Sequence, residues 1–290
     1  MFIIDCKTKK EAILDDVKEK IGDKKLILGV IQVQGDKASD VYVRNKKKAC
    51  DQVGIECIHC KLPSDASYDD VVKIIKGFND DNQVTGIILQ LPLPPHLKQY
   101  EQKLINLINW KKDVDGLTSA NVGRLWTNKS CLKPATALGI MSLLPEHLAE
   151  YNVAIINRSN LIGKPLVKML EERNATPILC HSRTDRKFLD IVLKNSDYII
   201  TAIGQPKWLA IDKTITKVMT NNYSFVCEGI IDAGISHDED GKLCGDVDVE
   251  SFDSLGIYGT STPNGTGLLT VAYLISNVLE AYKLQHGGLD

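Results

Sequence analysis

The chain has 290 residues, a length that fits two domains of roughly 100 to 200 residues or one large α/β barrel. Hydrophobic residues make up 43% and charged residues 25%, an ordinary globular balance that excludes disordered, collagen-like and disulfide-scaffold classes. Lys and Arg number 35 against 37 Asp and Glu, so the net charge of -2 lacks the basic excess of a dedicated nucleic-acid binder.

The opening MFIID holds too few apolar residues for a secretory signal. The longest apolar stretches, such as Leu26 to Ile31, are strand-sized and well short of the ~18 residues of a membrane span. Eight cysteines (6, 50, 57, 60, 131, 180, 227, 244) are scattered without disulfide-framework spacing and read as reduced thiols. A cytoplasmic protein with no membrane or nucleic-acid partner is expected. Apolar, β-branched runs follow in order: KLILGVIQV (25–33), GIECIHC (54–60) and VTGIILQLPL (84–93), then NVAIINRS (152–159), TPILCHS (176–182), DYIITAIG (197–204) and FVCEGIIDAGI (225–235). Near-continuous apolar strands alternating with helices predict an α/β fold with parallel sheets covered on both faces. Residues 110–151 show no strand pattern, and WKKDVDGLTSANVGRLW within them is polar and glycine-punctuated. A boundary near 120 is therefore expected, giving domains 1–120 and 121–290. Leu268 to Leu284 repeats apolar residues at helical spacing and is predicted to form a terminal helix that packs back on the first domain.

Cys57 and Cys60 form a C-x-x-C, but residues three apart on a strand point to opposite faces and do not chelate together. With no second C-x-x-C, no metal site is expected. In SDVYVRNKKKACDQVGI, Ser39 or Asp40 can cap a helix that Gly54 ends. Tyr42 and Lys46 are then i and i+4 on the face continued by Ala49 and Val53, whereas Lys47 and Lys48 rotate away. On spacing alone, a solvated basic run and an amphipathic tyrosine are the plainer account. Gln90 closes the strand of GIILQLPLPP, and carboxyl ends of parallel strands face the ligand crevice; capping the proline-stiffened loop would explain it equally well. KDVDGL (112–117) sets two carboxylates before a glycine turn, and turn closure alone could account for both.

In the second half, NVAIINRS, the loop NLIG and a helix starting near Lys164 and Pro165 form a βαβ start whose amides could hold a phosphate. No G-x-G-x-x-G is present. The next strand ends at CHSRT, where an NAD-preferring Rossmann domain usually has an acid; Ser182 and Arg183, with Arg158 and Ser159, would instead suit a 2′-phosphate.

Taken in order, these residues resemble the bifunctional methylenetetrahydrofolate dehydrogenase/methenyltetrahydrofolate cyclohydrolase (FolD) family over nearly the whole chain. The matching motifs are S-x-x-Y-x-x-x-K (Ser39, Tyr42, Lys46), G-x-x-x-Q-L-P-L-P (Gly86–Pro94), K-D-V-D-G (Lys112–Gly116), R-S-x-x-x-G-x-P (Arg158–Pro165), H-S (His181, Ser182), A-I-G-Q-P (Ala202–Pro206) and G-D-V (Gly245–Val247). The resemblance implies a folate-binding catalytic domain and a Rossmann-like NAD(P)-binding domain with a folate cleft between them, in a homodimer acting in one-carbon metabolism. It implies NADP, with NAD less favoured and no metal, and tetrahydrofolate derivatives as substrates. Lys46 would be the central catalytic residue, Gln90 its hydrogen-bonding partner, Tyr42 a ring stacked on the folate, and Asp115 the pterin anchor. Leu91, Gly265 and Gly267 would join Tyr42, Gln90 and Asp115 around the substrate. Asn157, Arg158, Ser159, Ser182, Gly204 and Ile235 would hold the coenzyme. Three places depart from the family pattern: Asn157 replaces a glycine before Arg-Ser, Ala137 replaces a proline, and TSTPNGTGLLT carries Asn264 and Leu268 for a glycine and a proline. Two other readings stand beside this one, a cyclohydrolase-only relative and a non-catalytic folate or nucleotide binder; the lysine argues against the binder, which would not need it.

Overall fold

The structure is a computed structural model that describes residues 1–210 and 227–287. Its elements are β1 (Phe2–Ile3), α1 (Cys6–Ile21), β2 (Ile27–Val33), α2 (Lys37–Val53), β3 (Glu56–Leu62), α3 (Tyr68–Asp80) and β4 (Gly86–Leu89). There follow α4 (Pro95–Lys98), α5 (Glu101–Ile105), α6 (Ser119–Trp126), α7 (Ala135–Met141), β5 (Asn152–Ile156), α8 (Gly163–Glu171), β6 (Thr176–Cys180) and α9 (Arg186–Lys194). Last come β7 (Tyr198–Thr201), β8 (Gly229–Asp232), β9 (Ser236–His237), β10 (Leu243–Cys244), β11 (Tyr258–Gly259) and α10 (Thr266–His286). The chain divides into two compact units, one of Lys10–Ala135 with the segment from Val271 onward, the other of Met1–Lys9 with Thr136–Thr270.

In the first unit, a parallel sheet runs in the order β3-β2-β4, with Leu28 opposite both Cys57 and Gly86. Central β2, ILGVIQV, is buried along almost its whole length, which is why its sequence is continuously apolar rather than alternating. Gly29 is required here: a Cβ would lie 2.6 Å from the Phe78 ring. Ser67 and Asp70 form a reciprocal capping box that starts α3. On the other side of the sheet, Leu14, Val43 and Val53 pack with Ala272, Ile275, Val278 and Leu279 of α10 into one core. Asn277 locks α10 there by donating to the carbonyls of Val114 and Lys133, both at 2.8 Å.

The division between units falls at 135 rather than near 120. Asn121 of α6 donates to the Trp110 carbonyl (2.9 Å) and to Asp113 (3.0 Å) and accepts from the Leu132 amide (3.2 Å), stitching 119–132 into the first unit. The start of α2 also differs from expectation. The helix begins at Lys37, and Asp36 takes the capping role by accepting from the Ser39 amide and hydroxyl at 2.9 and 2.8 Å.

In the second unit, a six-stranded parallel sheet has the order β1-β11-β8-β7-β5-β6. The α/β architecture with parallel sheets is thus as read from the sequence. The strand expected within 225–235 is β8; Phe225 and Val226 lie outside the described residues. β5 and β6 are neighbours, with Ile156 opposite Cys180, so the segments after them leave the sheet side by side.

Candidate active site

In the first unit, helix α2 carries Tyr42 and Lys46, and only Lys46 of the three consecutive lysines is half-buried; Lys47 and Lys48 are exposed. Lys46 Nζ donates to Gln90 Oε1 at 3.0 Å. Gln90, the residue after β4, is buried and held at both ends. Its amide N–H donates to the Ile31 carbonyl (2.8 Å), and its side-chain Nε2 donates to the Leu91 carbonyl (2.6 Å). With Nε2 committed, Oε1 is the atom turned to the lysine. A neutral amide therefore places an amine without adding charge.

The segment Lys112–Gly116 divides its labour among its residues. Lys112 is buried, and its ammonium donates to the carbonyls of Phe78, Asn79 and Asp81 at 3.1, 2.9 and 2.8 Å, capping the end of α3. Asp113 closes the turn by accepting from the Thr118 amide at 2.7 Å and from Asn121 Nδ2 at 3.0 Å. Asp115 is half-buried in the field of Lys46. Burial pushes its carboxyl above the ordinary range, the Lys46 ammonium pulls it back, and Asp113 adds to the rise. Gly116 has φ 68°, and a Cβ there would meet the Leu132 carbonyl at 2.8 Å, so only glycine lets the chain turn away after Asp115. Tyr42 is 39% exposed, with its hydroxyl pushed up by partial burial and by Asp36. The structure thus brings Lys46, Gln90 and Asp115 together, with Tyr42 one turn before Lys46 and Leu91 directly after Gln90.

In the second unit, the expected coenzyme residues cluster at the carboxyl ends of β5 to β8. Arg158 and Ser182 are exposed on the adjacent segments that follow β5 and β6. The amide of Asn157 is turned into the protein. Its Nδ2 donates to the Ala202 carbonyl, and its Oδ1 accepts from the Ser159 amide (2.8 Å), the Ser159 hydroxyl (2.8 Å) and the Gly163 amide (3.0 Å). The Ser159 hydroxyl also accepts from the Ile162 amide at 3.0 Å. Asn157 and Ser159 therefore build the loop. Gly163 lies so close to it that a Cβ would be 2.1 Å from the Asn157 carbonyl oxygen.

Gly204 (φ 69°) and Ile235 meet across two neighbouring loops, and both are exposed. Two residues without an assigned role in the sequence hold these loops. Asp246 accepts from the amides of Ile203 (2.7 Å) and Gln205 (2.9 Å), while Asp232 accepts from those of Gly234 (2.9 Å), Asp246 (3.1 Å) and Val247 (3.0 Å). Burial raises the Asp232 carboxyl to about 6, against the pull of those amides. The sequence signal was an acid inside the apolar run GIIDAGI. Gly265 is buried where a Cβ would lie 2.3 Å from the Ser261 carbonyl oxygen, and Gly267 lies in the first turn of α10. Asn264, the residue standing in for a glycine, takes φ 73°, a left-handed conformation that asparagine tolerates better than most residues. An exposed guanidinium and hydroxyl beside open backbone at Gly204 form a donor set suited to a dinucleotide phosphate.

The sequence matches the description "tetrahydrofolate dehydrogenase/cyclohydrolase, catalytic domain" over residues 4–115 and "tetrahydrofolate dehydrogenase/cyclohydrolase, NAD(P)-binding domain" over 134–286. It is 40% identical over 291 residues to the bifunctional protein FolD of Agathobacter rectalis, covering 97% of this chain and 99% of that one. Among solved structures, it resembles the bifunctional FolD methylenetetrahydrofolate dehydrogenase/cyclohydrolase of Campylobacter jejuni, with 31% identity, TM-score 0.85, and coverage of 98% and 99% of the two chains. It also resembles the Trypanosoma brucei dehydrogenase-cyclohydrolase complexed with NADP and an inhibitor, with 26% identity, TM-score 0.86, and coverage of 99% and 98%. With both domains matched and a lysine, a glutamine and an aspartate grouped in the first of them, this chain belongs to the tetrahydrofolate dehydrogenase/cyclohydrolase family.

Proposed function

We propose that the chain oxidises 5,10-methylenetetrahydrofolate to the 5,10-methenyl form with NADP and then hydrolyses that product to 10-formyltetrahydrofolate. The observation that carries this reading is the 3.0 Å bond from Lys46 Nζ to Gln90 Oε1 beside Asp115. When bound, the nicotinamide coenzyme would supply the acceptor for hydride from the carbon bridging two folate nitrogens. Asp115 accepts hydrogen bonds from the pterin amino and ring N–H groups and so fixes the folate pose used by both reactions. Tyr42, one helical turn before Lys46, offers a ring face to the folate. Water addition to the methenyl cation and ring opening require proton removal and return, and Lys46, oriented by Gln90, relays those protons.

Arg158 and Ser182 read the 2′-phosphate, which favours NADP over NAD. Asn157 and Ser159 serve this site by shaping the loop on which Arg158 stands. The scattered cysteines, without disulfide-framework spacing, support a cytoplasmic setting, and the family resemblance supports a homodimer, which light scattering will test. The test of function is direct: mix the protein with methylenetetrahydrofolate and either NADP or NAD and follow methenyl and reduced-coenzyme absorbance. Reduction of NADP with later loss of methenyl absorbance is expected; failure of either step removes the corresponding activity.

A further inference from the structure

Helix α10 turns an apolar face into the core of the first unit, and a single carboxamide interrupts it. Asn277 is 3% exposed, with Leu274, Val278 and Ala281 beside it on the helix, all of them buried in that core. Burying an amide in such surroundings is costly unless it is hydrogen-bonded, so its partners account for its presence. Nδ2 donates to the Val114 carbonyl and to the Lys133 carbonyl, each at 2.8 Å. Both partners are acceptors, which fixes the nitrogen rather than the oxygen of the amide on this side.

The two carbonyls bracket the turn that carries Asp115. The Val114 carbonyl shares a planar peptide with the Asp115 amide, so a bond that orients the first orients the start of the second. The Lys133 carbonyl belongs to the backbone against which Gly116 is pressed: a Cβ on Gly116 would lie 2.7 Å from the Lys133 carbonyl carbon and 2.8 Å from the Pro134 nitrogen. Upstream, the segment is already tied to β4. The Ile87 amide donates to the Lys112 carbonyl at 2.6 Å, and Ile87 and Asp113 form a parallel bridge. Val114 occupies the space a side chain at Gly86 would need, 2.6 Å from that Cβ position. The strand that ends just before Gln90 therefore also carries the approach to Asp115. What it leaves free is the peptide after Val114, and Asn277 bonds there.

We propose that Asn277 is a positioning residue for the folate, aiming Asp115 by clamping the Val114 and Lys133 carbonyls across the turn.

This role rests on the reading of Asp115 as the pterin anchor. Asn277 stands 163 residues further along the chain than Val114, so the docking of α10 and the placement of the anchor are one event. Sliding the helix by one residue would carry the amide about 1.5 Å along the axis and about 100° around it, away from both carbonyls.

The test compares Asn277→Leu, Asp115→Ala and the double variant in the full-length protein. Leucine keeps the approximate volume and removes both donors. Tetrahydrofolate, which lacks the bridging carbon and is not turned over, is titrated onto each protein, and NADP is titrated separately. Asn277→Leu should raise the tetrahydrofolate dissociation constant about tenfold and leave that for NADP within about twofold of wild type. In the Asp115→Ala background the same substitution should add less than about twofold, because the group it aims is gone. Equal factors in the two backgrounds, or equal losses of folate and NADP binding, would reveal a merely structural amide and overturn the role. Wild-type folate binding by Asn277→Leu, with Asp115→Ala weakened, overturns it as well. Wild-type binding by Asp115→Ala instead overturns the anchor, and the aiming with it. If circular dichroism shows Asn277→Leu unfolded, Asn277→Ser runs the same cycle, its one hydroxyl serving one carbonyl and its expected effect about threefold.

Discussion

Lys46 and Asp115 stand in each other's field with Gln90 as an uncharged support, whereas at the proposed coenzyme end Asn157, Asp232 and Asp246 are taken up by backbone amides and carbonyls. What the second region turns outward is backbone at Gly204 together with exposed Arg158 and Ser182. Proton chemistry needs side chains with capacity to spare. Holding a coenzyme that brings its own chemistry needs backbone in a fixed place, and buried polar side chains fix it.

The sharpest way to break that contrast is Lys46→Met, which keeps the stem and removes the amine. Methenyl hydrolysis should fall by roughly 10²- to 10⁴-fold while coenzyme reduction stays measurable and methenylfolate accumulates. Near-normal hydrolysis would return the lysine to a solvated face. Asp115→Ala comes next. Lost charge-assisted bonds of about 1.5–3 kcal/mol each should weaken dehydrogenase and cyclohydrolase together, roughly ten- to hundredfold per bond, and a fall in only one activity would refute a shared anchor.

On the coenzyme side, Arg158→Ala should raise the dissociation constant for NADP about tenfold, with a much smaller change for NAD in the same titration. Equal losses would show that the guanidinium does not read the 2′-phosphate. The smallest effect concerns Asp232. Its folded carboxyl titrates at about 6, above the unfolded value of 3.8, so folding favours the protonated form. Its contribution to stability is complete below about pH 4 and is lost as pH rises through 6. Urea unfolding of wild type and Asp232→Asn between pH 4.5 and 6.5 should show the variant gaining relative stability as pH rises. The misplaced amide adds only a constant offset, and parallel curves would rule the titration out.

The strands were legible because parallel, doubly covered sheets demand continuous apolar runs, and β2 and β5 to β8 were found where such runs occur. Helix α2 could be read from its stripe, and the end of β4 placed Gln90. Which aspartate of KDVDG closes the turn could not be read, since both precede the same glycine; the partners of Asp113 at Thr118 and Asn121 decide it. The work of Asp232 and Asp246 was hidden for a related reason. Their partners are amides, which have no sequence signature, and some lie on loops 41 to 43 residues away. Strand β1 is two residues long and pairs with Tyr258 and Gly259, a contact no local pattern announces.

That pairing, together with the placement of α10, bears on how the protein is made. Residues 1–9 belong to the six-stranded unit, and the segment from Val271 belongs to the three-stranded one, so each unit is assembled from two separated stretches of chain. A ribosome that has delivered residues 10–135 has made a sheet whose core still lacks Ala272, Ile275, Val278 and Leu279. The three-stranded unit cannot finish folding until that helix has left the exit tunnel. Cutting the gene near the domain boundary should therefore yield two fragments that aggregate when expressed apart, rather than two free-standing domains.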